Sequence, residues 1–135
     1  MSQTSSGNGS GSNDDDDDTS SAPSDPVDIF QGFVFPDSLE TANLGQNERH
    51  IWEFDGSAGD TVDISMVSTD GNLDSYLFLY TPDGSYLTDD DDSYGGSDAL
   101  ISYQLPDTGI YTFIATGFDE TTSGPYELYL SLFTP

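Results

Sequence analysis

The sequence predicts an all-β chain: a jelly-roll-like antiparallel β-sandwich of about 8 strands behind a disordered N-terminal tail. Three observations carry this. Short runs rich in β-branched and aromatic residues alternate with polar residues at a period of two. Turn-forming clusters recur every ~8 to 12 residues between those runs. No stretch of useful length repeats apolar residues at the helical period.

The tail comes first. Between Met1 and Val27 no apolar residue other than proline exceeds Ala22 in size, and Asp14 to Asp18 form an unbroken acidic run. Such a segment buries too little apolar surface to offset the entropy of ordering, so residues 1–26 are expected to be a disordered, self-repelling Ser/Gly/Asp linker. Residues 27–135 are the expected folded domain, long enough for one sandwich.

Within that domain Ile29 to Phe35 is apolar and is expected as an edge strand, with a weak strand at Leu39 to Leu44. Further strands are expected at His50 to Phe54, Thr61 to Val67, Ser75 to Tyr80, Tyr86 to Thr88, Ala99 to Leu105, Ile110 to Thr116 and Tyr126 to Phe133. The breaks between them are turn formers: Gly56 to Asp60, Pro82-Asp83-Gly84, Pro106 to Gly109 and Ser123-Gly124-Pro125. Alternation sends Val62, Ile64 and Met66 to one face, and likewise Ile101, Tyr103 and Leu105, then Tyr111, Phe113 and Ala115, then Tyr126, Leu128, Leu130 and Leu132. Several one-sided strands imply two sheets packed face to face. Tyr76 to Tyr80 is apolar on both sides, which suits a central strand or one with an exposed aromatic face.

Composition narrows the function. Among 135 residues there are 26 acids and one basic residue, Arg49, for a formal charge of -25. A chain without a cationic patch repels phosphate backbones and anionic bilayers, so nucleic acid and membrane surfaces are excluded as partners. No apolar run reaches the ~18 residues of a membrane-spanning helix, and no apolar signal-peptide core follows Met1, so export would need a leader that this chain does not carry. Cysteine is absent, which removes disulfides, thiol nucleophiles and cysteine-type zinc sites.

Asp60-Thr61-Val62, Leu73 to Gly84, Asp91-Asp92-Ser93, Asp98 to Ile101, Gly109 to Phe113 and Ser123 to Leu128 stand in an order and spacing that resemble the bacterial pre-peptidase C-terminal domain. That family is related to the collagen-binding domains of clostridial collagenases, and the likeness runs from about Leu39 to Phe133. It implies a non-catalytic accessory module of secreted or cell-surface proteins; some members bind calcium, and some bind collagen or insoluble polymers. The collagenase relatives take calcium ligands from an acidic linker whose pattern Leu39 to Glu48 does not reproduce, so no ligand is carried over from them.

A cation site is argued from spacing instead. Asp70, Asn72 and Asp74 follow the alternating opening of an oxygen-ligand calcium loop, but Ser75 and Thr81 stand where an EF-hand needs glycine and glutamate. A hairpin turning at Pro82-Asp83-Gly84 would set Asp74 roughly opposite Asp92, beside Asp91 and near Asp98. Like charges ~4 Å apart cost on the order of 1 kcal/mol per pair even at the dielectric of water, and a hard cation converts that repulsion into coordination. The expected calcium ligands are Asn72, Asp74, Asp91, Asp92 and Asp98; the competing account is a solvated acidic surface adapted to high salt.

Catalysis finds no support. His50 is the only histidine and lacks a Gly-x-Ser-x-Gly elbow to serve, and carboxylate pairs carry no specificity among so many acids. Trp52 is expected in the core, with sugar stacking as the alternative. The expected role is a binding module that tethers a secreted or surface protein to a protein or polysaccharide surface. A self-assembling or adhesion subunit and a carbohydrate-binding module are the alternatives. Outward aromatics for such a contact are Tyr129 and Phe133, joined by Tyr76, Phe78 and Tyr80 if that strand exposes them.

Overall fold

The computed structural model describes residues 25–91, 95–119 and 121–134; of the expected tail, all but Asp25 and Pro26 lies outside this range. Among the described residues nine strands form: β1 (Val27–Phe33), β2 (Leu39–Leu44), β3 (Glu48–Gly56), β4 (Thr61–Ser68), β5 (Ser75–Tyr80), β6 (Tyr86–Asp90), β7 (Ala99–Gln104), β8 (Gly109–Gly117) and β9 (Gly124–Phe133). Among the described residues there is no helix. The strands make a five-stranded sheet, ordered β1-β3-β8-β5-β6, and a four-stranded sheet, ordered β2-β9-β4-β7.

Pairing is antiparallel as expected, with one exception. β1 runs parallel to β3, Asp28 against Arg49 and Phe30 against Ile51. The chain reaches β3 only after passing through β2 in the opposite sheet, and that crossover lets it return in the same sense. Gly32, at φ 136°, absorbs the irregularity in this ladder.

The alternating residues fill the space between the sheets. Phe54, Leu77, Leu79, Tyr111 and Phe113 from one sheet meet Val62, Ile64, Met66, Ile101, Leu128 and Leu130 from the other, all buried. Phe54 and Tyr111 stack with centroids 5.3 Å apart. Each fully buried large apolar side chain contributes about 1.5–3 kcal/mol. The Tyr111 hydroxyl then closes the turn into β8, accepting from Asp107 N at 2.9 Å and donating to Asp107 O at 2.6 Å.

The β5–β6 hairpin differs from expectation in register. Tyr80 pairs with Tyr86, but a bulge follows and Leu77 pairs with Asp90, where an uninterrupted ladder would give it Asp89. The cause is Leu87, which has no partner in the ladder and packs against the core. Because side chains alternate, this one-residue slip decides which aspartate faces which way.

Candidate functional site

The outer face of the five-stranded sheet carries an aromatic surface. In β5, Ser75, Leu77 and Leu79 point into the core, which sends Tyr76, Phe78 and Tyr80 outward. Cross-strand pairing extends this into rows: Arg49, Thr116 and Tyr76; then Phe30, Ile51, Ile114, Phe78 and Asp89; then Glu53, Thr112, Tyr80 and Tyr86. Ile114 is only 7% exposed although it lies outside the core cluster, so its neighbours on the outer face cover it. Tyr76 stacks on Phe78 with centroids 4.5 Å apart and planes 7° from parallel, and Phe118 lies parallel to Tyr76 within 10° at 5.9 Å.

Asp89 ties this surface together. Tyr86 Oη donates to its Oδ2 at 2.6 Å and Tyr76 Oη lies 3.4 Å from its Oδ1. The carboxylate raises both phenol pKa values: Tyr86 is pushed up to about 12 chiefly by its hydrogen bond to Asp89, and Tyr76 is raised by desolvation and by the acids of β6.

Beside the stack is a hollow of about 330 Å³, lined by Tyr76, Phe78 and Phe118 together with Glu48, Arg49, Asp119, Thr122 and Pro26. Its loop wall is fixed from behind. Thr122 Oγ1 accepts from Asp74 N at 2.7 Å and donates to Asn72 O at 3.1 Å. Position 117 must be glycine, because a Cβ there would overlap Thr122 Cγ2. The single base in the chain is already engaged: Arg49 Nε and the Asp28 carboxylate lie 2.6 Å apart, with a second contact of 2.9 Å. That two-point pair holds the Asp28 carboxyl below its ordinary range.

The expected cation ligands sit at the strand ends near this loop. Asp74 directly precedes β5, Asp91 follows β6, Asp98 precedes β7 and Asn72 lies in the β4–β5 connection. Ser75 N donates to Ser97 O at 2.9 Å, which brings the Asp74 and Asp98 segments together. Asp92 lies outside the described residues, and with it the expected facing of Asp74 and Asp92. Local partners take some of the oxygens: Asp98 Oδ1 accepts from Ser68 N at 3.0 Å, and Asp70 Oδ1 from Asn72 N at 2.9 Å. In the neighbouring acid run Asp90, turned by the bulge, accepts from Leu100 N on the edge of the other sheet at 2.9 Å. Among the described residues no three carboxylate or imidazole groups gather closely enough to hold a metal ion. The donor set is nonetheless oxygen in kind, and Ser75 Oγ, immediately after Asp74, is buried with no hydrogen-bond partner.

His50 and Trp52 occupy neither site. Both are buried in the seam between the sheets, where Trp52 Nε1 donates to Tyr126 Oη at 3.1 Å and His50 Nδ1 lies 2.6 Å from the same oxygen. His50 Nε2 faces Glu48 Oε1 at 3.3 Å, and Gly45 N donates to that carboxylate at 2.7 Å. The phenol is consistent with donating to Nδ1, which leaves Nε2–H for Glu48 and keeps the imidazole neutral. Burial pushes the His50 pKa down despite Glu48, and pushes the Tyr126 phenol far up. Trp52 is therefore no sugar platform.

Alternation placed Tyr129 and Phe133 outward correctly, but they lie on the four-stranded sheet, where β9 pairs with β4, and so do not share a surface with Tyr76, Phe78 and Tyr80. Their neighbours there include Thr61, Asp63, Ser65 and Ser131, and Tyr129 Oη reaches Asp37 at 3.3 Å. Phe118, Asp119 and Tyr86 escaped the sequence reading. The first two follow β8 in a loop with no alternation to orient them, and the bulge puts Tyr86 on the same face as Asp89, three residues on, where strict alternation would separate them.

Comparison with known proteins bears on the fold. The family model of the bacterial pre-peptidase C-terminal domain matches residues 48–117. The solved pre-peptidase C-terminal domain of a Bacillus anthracis collagenase superposes with a TM-score of 0.60 at 16% identity, covering 82% of this chain and 100% of that one. A periplasmic inhibitor of g-type lysozyme, PliG of Aeromonas hydrophila, gives 0.61 at 13% identity, over 78% and 99% of the two chains. CorA, a surface-associated copper-binding protein of Methylomicrobium album BG8, gives 0.57 at 12% identity, over 78% and 100%. No curated protein matches.

Proposed function

The chain belongs to the bacterial pre-peptidase C-terminal domain family, and from that premise we propose that it is a non-catalytic extracellular accessory module, calcium-stabilised, that tethers a secreted or surface protein to a partner surface. The outer aromatic face of the five-stranded sheet, where Phe30, Tyr86 and Phe118 are exposed and Tyr76, Phe78 and Tyr80 half-buried, carries this reading. Exposed rings gathered on one side of a sandwich make an apolar patch of the kind that marks a contact surface. The neighbours add weight: one inhibits a lysozyme and one is surface-associated, so a protein partner outside the cytoplasm fits the fold. Residues 1–26 would then be the acidic spacer between this module and whatever it serves.

Sedimentation of the full chain with insoluble collagen, cellulose and peptidoglycan tests the tethering role. Retention on one of them, lost on Tyr76→Ala and Phe118→Ala but kept on Phe133→Ala, is expected. Retention indifferent to all three substitutions would sink the assignment of this face.

Calcium is proposed from the donor set of the connecting segments: oxygen ligands only, with Asn72, Asp74, Asp91 and Asp98 at neighbouring strand ends. A ligand at 100 times its dissociation constant adds ~2.7 kcal/mol to stability. After chelation, calcium should raise the melting temperature of the full chain by several degrees more than sodium chloride at equal ionic strength, and Asp74→Asn should abolish the difference. Equal stabilisation by the two salts would instead identify a screened acidic surface.

A further inference from the structure

We propose that the hollow beside the Tyr76–Phe78–Phe118 stack receives a cationic side chain, arginine or lysine, of a basic partner protein. This deepens the tethering role and rests on it. The three rings lie nearly parallel, and the face of an aromatic ring is negative, which attracts a cation within ~6 Å of its centroid. A planar guanidinium stacks on such a surface as well as being drawn to it.

The charges around the hollow act in the same direction. Arg49 lines it, yet that guanidinium is neutralised by Asp28 through two contacts. Asp119, which also lines it, is an acid; Glu48 lines it too, with Oε1 held by Gly45 N at 2.7 Å and facing His50 Nε2. Thr121 N and Oγ1 both donate to Asp119 Oδ1, at 2.9 and 2.7 Å, which orients that carboxylate and favours its ionised form. Behind Tyr76 stands Asp89. With a formal charge of -25 on the whole chain, the long-range field steers cations toward the surface and repels a second copy. A volume of about 330 Å³ suits one long side chain rather than a large cofactor. A neutral sugar would use the rings and leave the field unused, whereas a cation uses both.

The test follows the aromatic ring signals of the full chain by NMR during titration with N-acetylarginine amide. N-acetylcitrulline amide, the same shape without the charge, is the matched control, and cellohexaose the neutral-glycan arm. Arginine should shift the Phe118 and Tyr76 rings saturably and citrulline far less. Phe118→Ala should weaken arginine binding about 3- to 5-fold, the range of an exposed cation–π contact, and Asp119→Asn should weaken it while added salt lowers it further. Phe133→Ala on the opposite sheet should leave it unchanged. Equal shifts by citrulline, or arginine shifts that survive both Phe118→Ala and Asp119→Asn, overturn the proposal. Cellohexaose shifting these rings when arginine does not also overturns it, yet leaves the face as a tether with a glycan partner. If neither compound moves the rings, the hollow takes no cation; whether the face still tethers is decided separately by the sedimentation assay.

Discussion

Tyr126 and Trp52 lie in the seam between the sheets, while Tyr76, Phe78 and Phe118 lie on the outside of one of them. The two assemblies are built of similar residues, and each joins rings to a carboxylate, Glu48 within and Asp89 without. In the seam every polar tip meets a partner: indole to phenol, phenol to imidazole, imidazole to carboxylate. On the outer face the phenols lean on Asp89, Tyr76 and Phe78 are half-covered, and Phe118 and Tyr86 stay exposed. Satisfied rings hold the two sheets together, and unsatisfied ones are available for recognition. The sheets can therefore differ in how much each cluster matters to folding, and that difference can be measured.

The largest effect should come from the seam. Tyr126→Phe removes the one oxygen that serves both Trp52 Nε1 and His50 Nδ1. Stranding two buried polar groups should cost about 2–4 kcal/mol, read from the denaturant midpoint at unchanged slope. A loss below ~0.5 kcal/mol would mean that water replaces the phenol and the seam is not closed.

Next is the pH dependence of the same seam. Burial lowers the His50 pKa in the folded chain relative to its ordinary value of 6.5. The unfolded chain then binds the extra proton, so stability is complete above that value and falls as pH drops from about 7 toward the folded pKa, by at most ~1.4 kcal/mol per pH unit. His50 is the only histidine, and ordinary carboxylates stay ionised over this range, so a melting temperature followed from pH 7.5 to 5.5 isolates it. His50→Gln should flatten the slope. A slope that persists in that variant would place the titrating group elsewhere.

The smallest stability effect belongs to the outer face. Phe118 is 53% exposed, so Phe118→Ala should lower stability by less than ~1 kcal/mol, well under the 3–5 kcal/mol of a buried phenylalanine. A cost in the buried range would show that the stack is part of the folding core and erase the contrast.

The fold was legible because two-sided alternation is a local signal: Val62, Ile64 and Met66, or Tyr126, Leu128 and Leu130, declare their inward face within a single strand. Sheet membership is not local. Nothing in the Tyr129 and Phe133 segment states that β9 pairs with β2 and β4 rather than with β5, so outward aromatics from different sheets looked equivalent. Nor is a bulge visible where Leu87 is only one more apolar residue, though it redirects Asp89 toward the tyrosines and Asp90 toward Leu100. The parallel pairing of β1 depends likewise on a crossover through the other sheet.

Pro26 lines the hollow, and the chain enters the domain there. Asp18 is eight residues earlier in the sequence, so chain geometry keeps it within ~30 Å of Pro26. A group leashed to that radius is present at an effective concentration on the order of 10 mM. Carboxylates on that leash would compete with the hollow for a cation that visits it, Asp18 within this radius and Asp14 within a wider one. A cation that also stacks on the rings would be kept by the hollow, whereas one that offers charge alone would be shared with the aspartates.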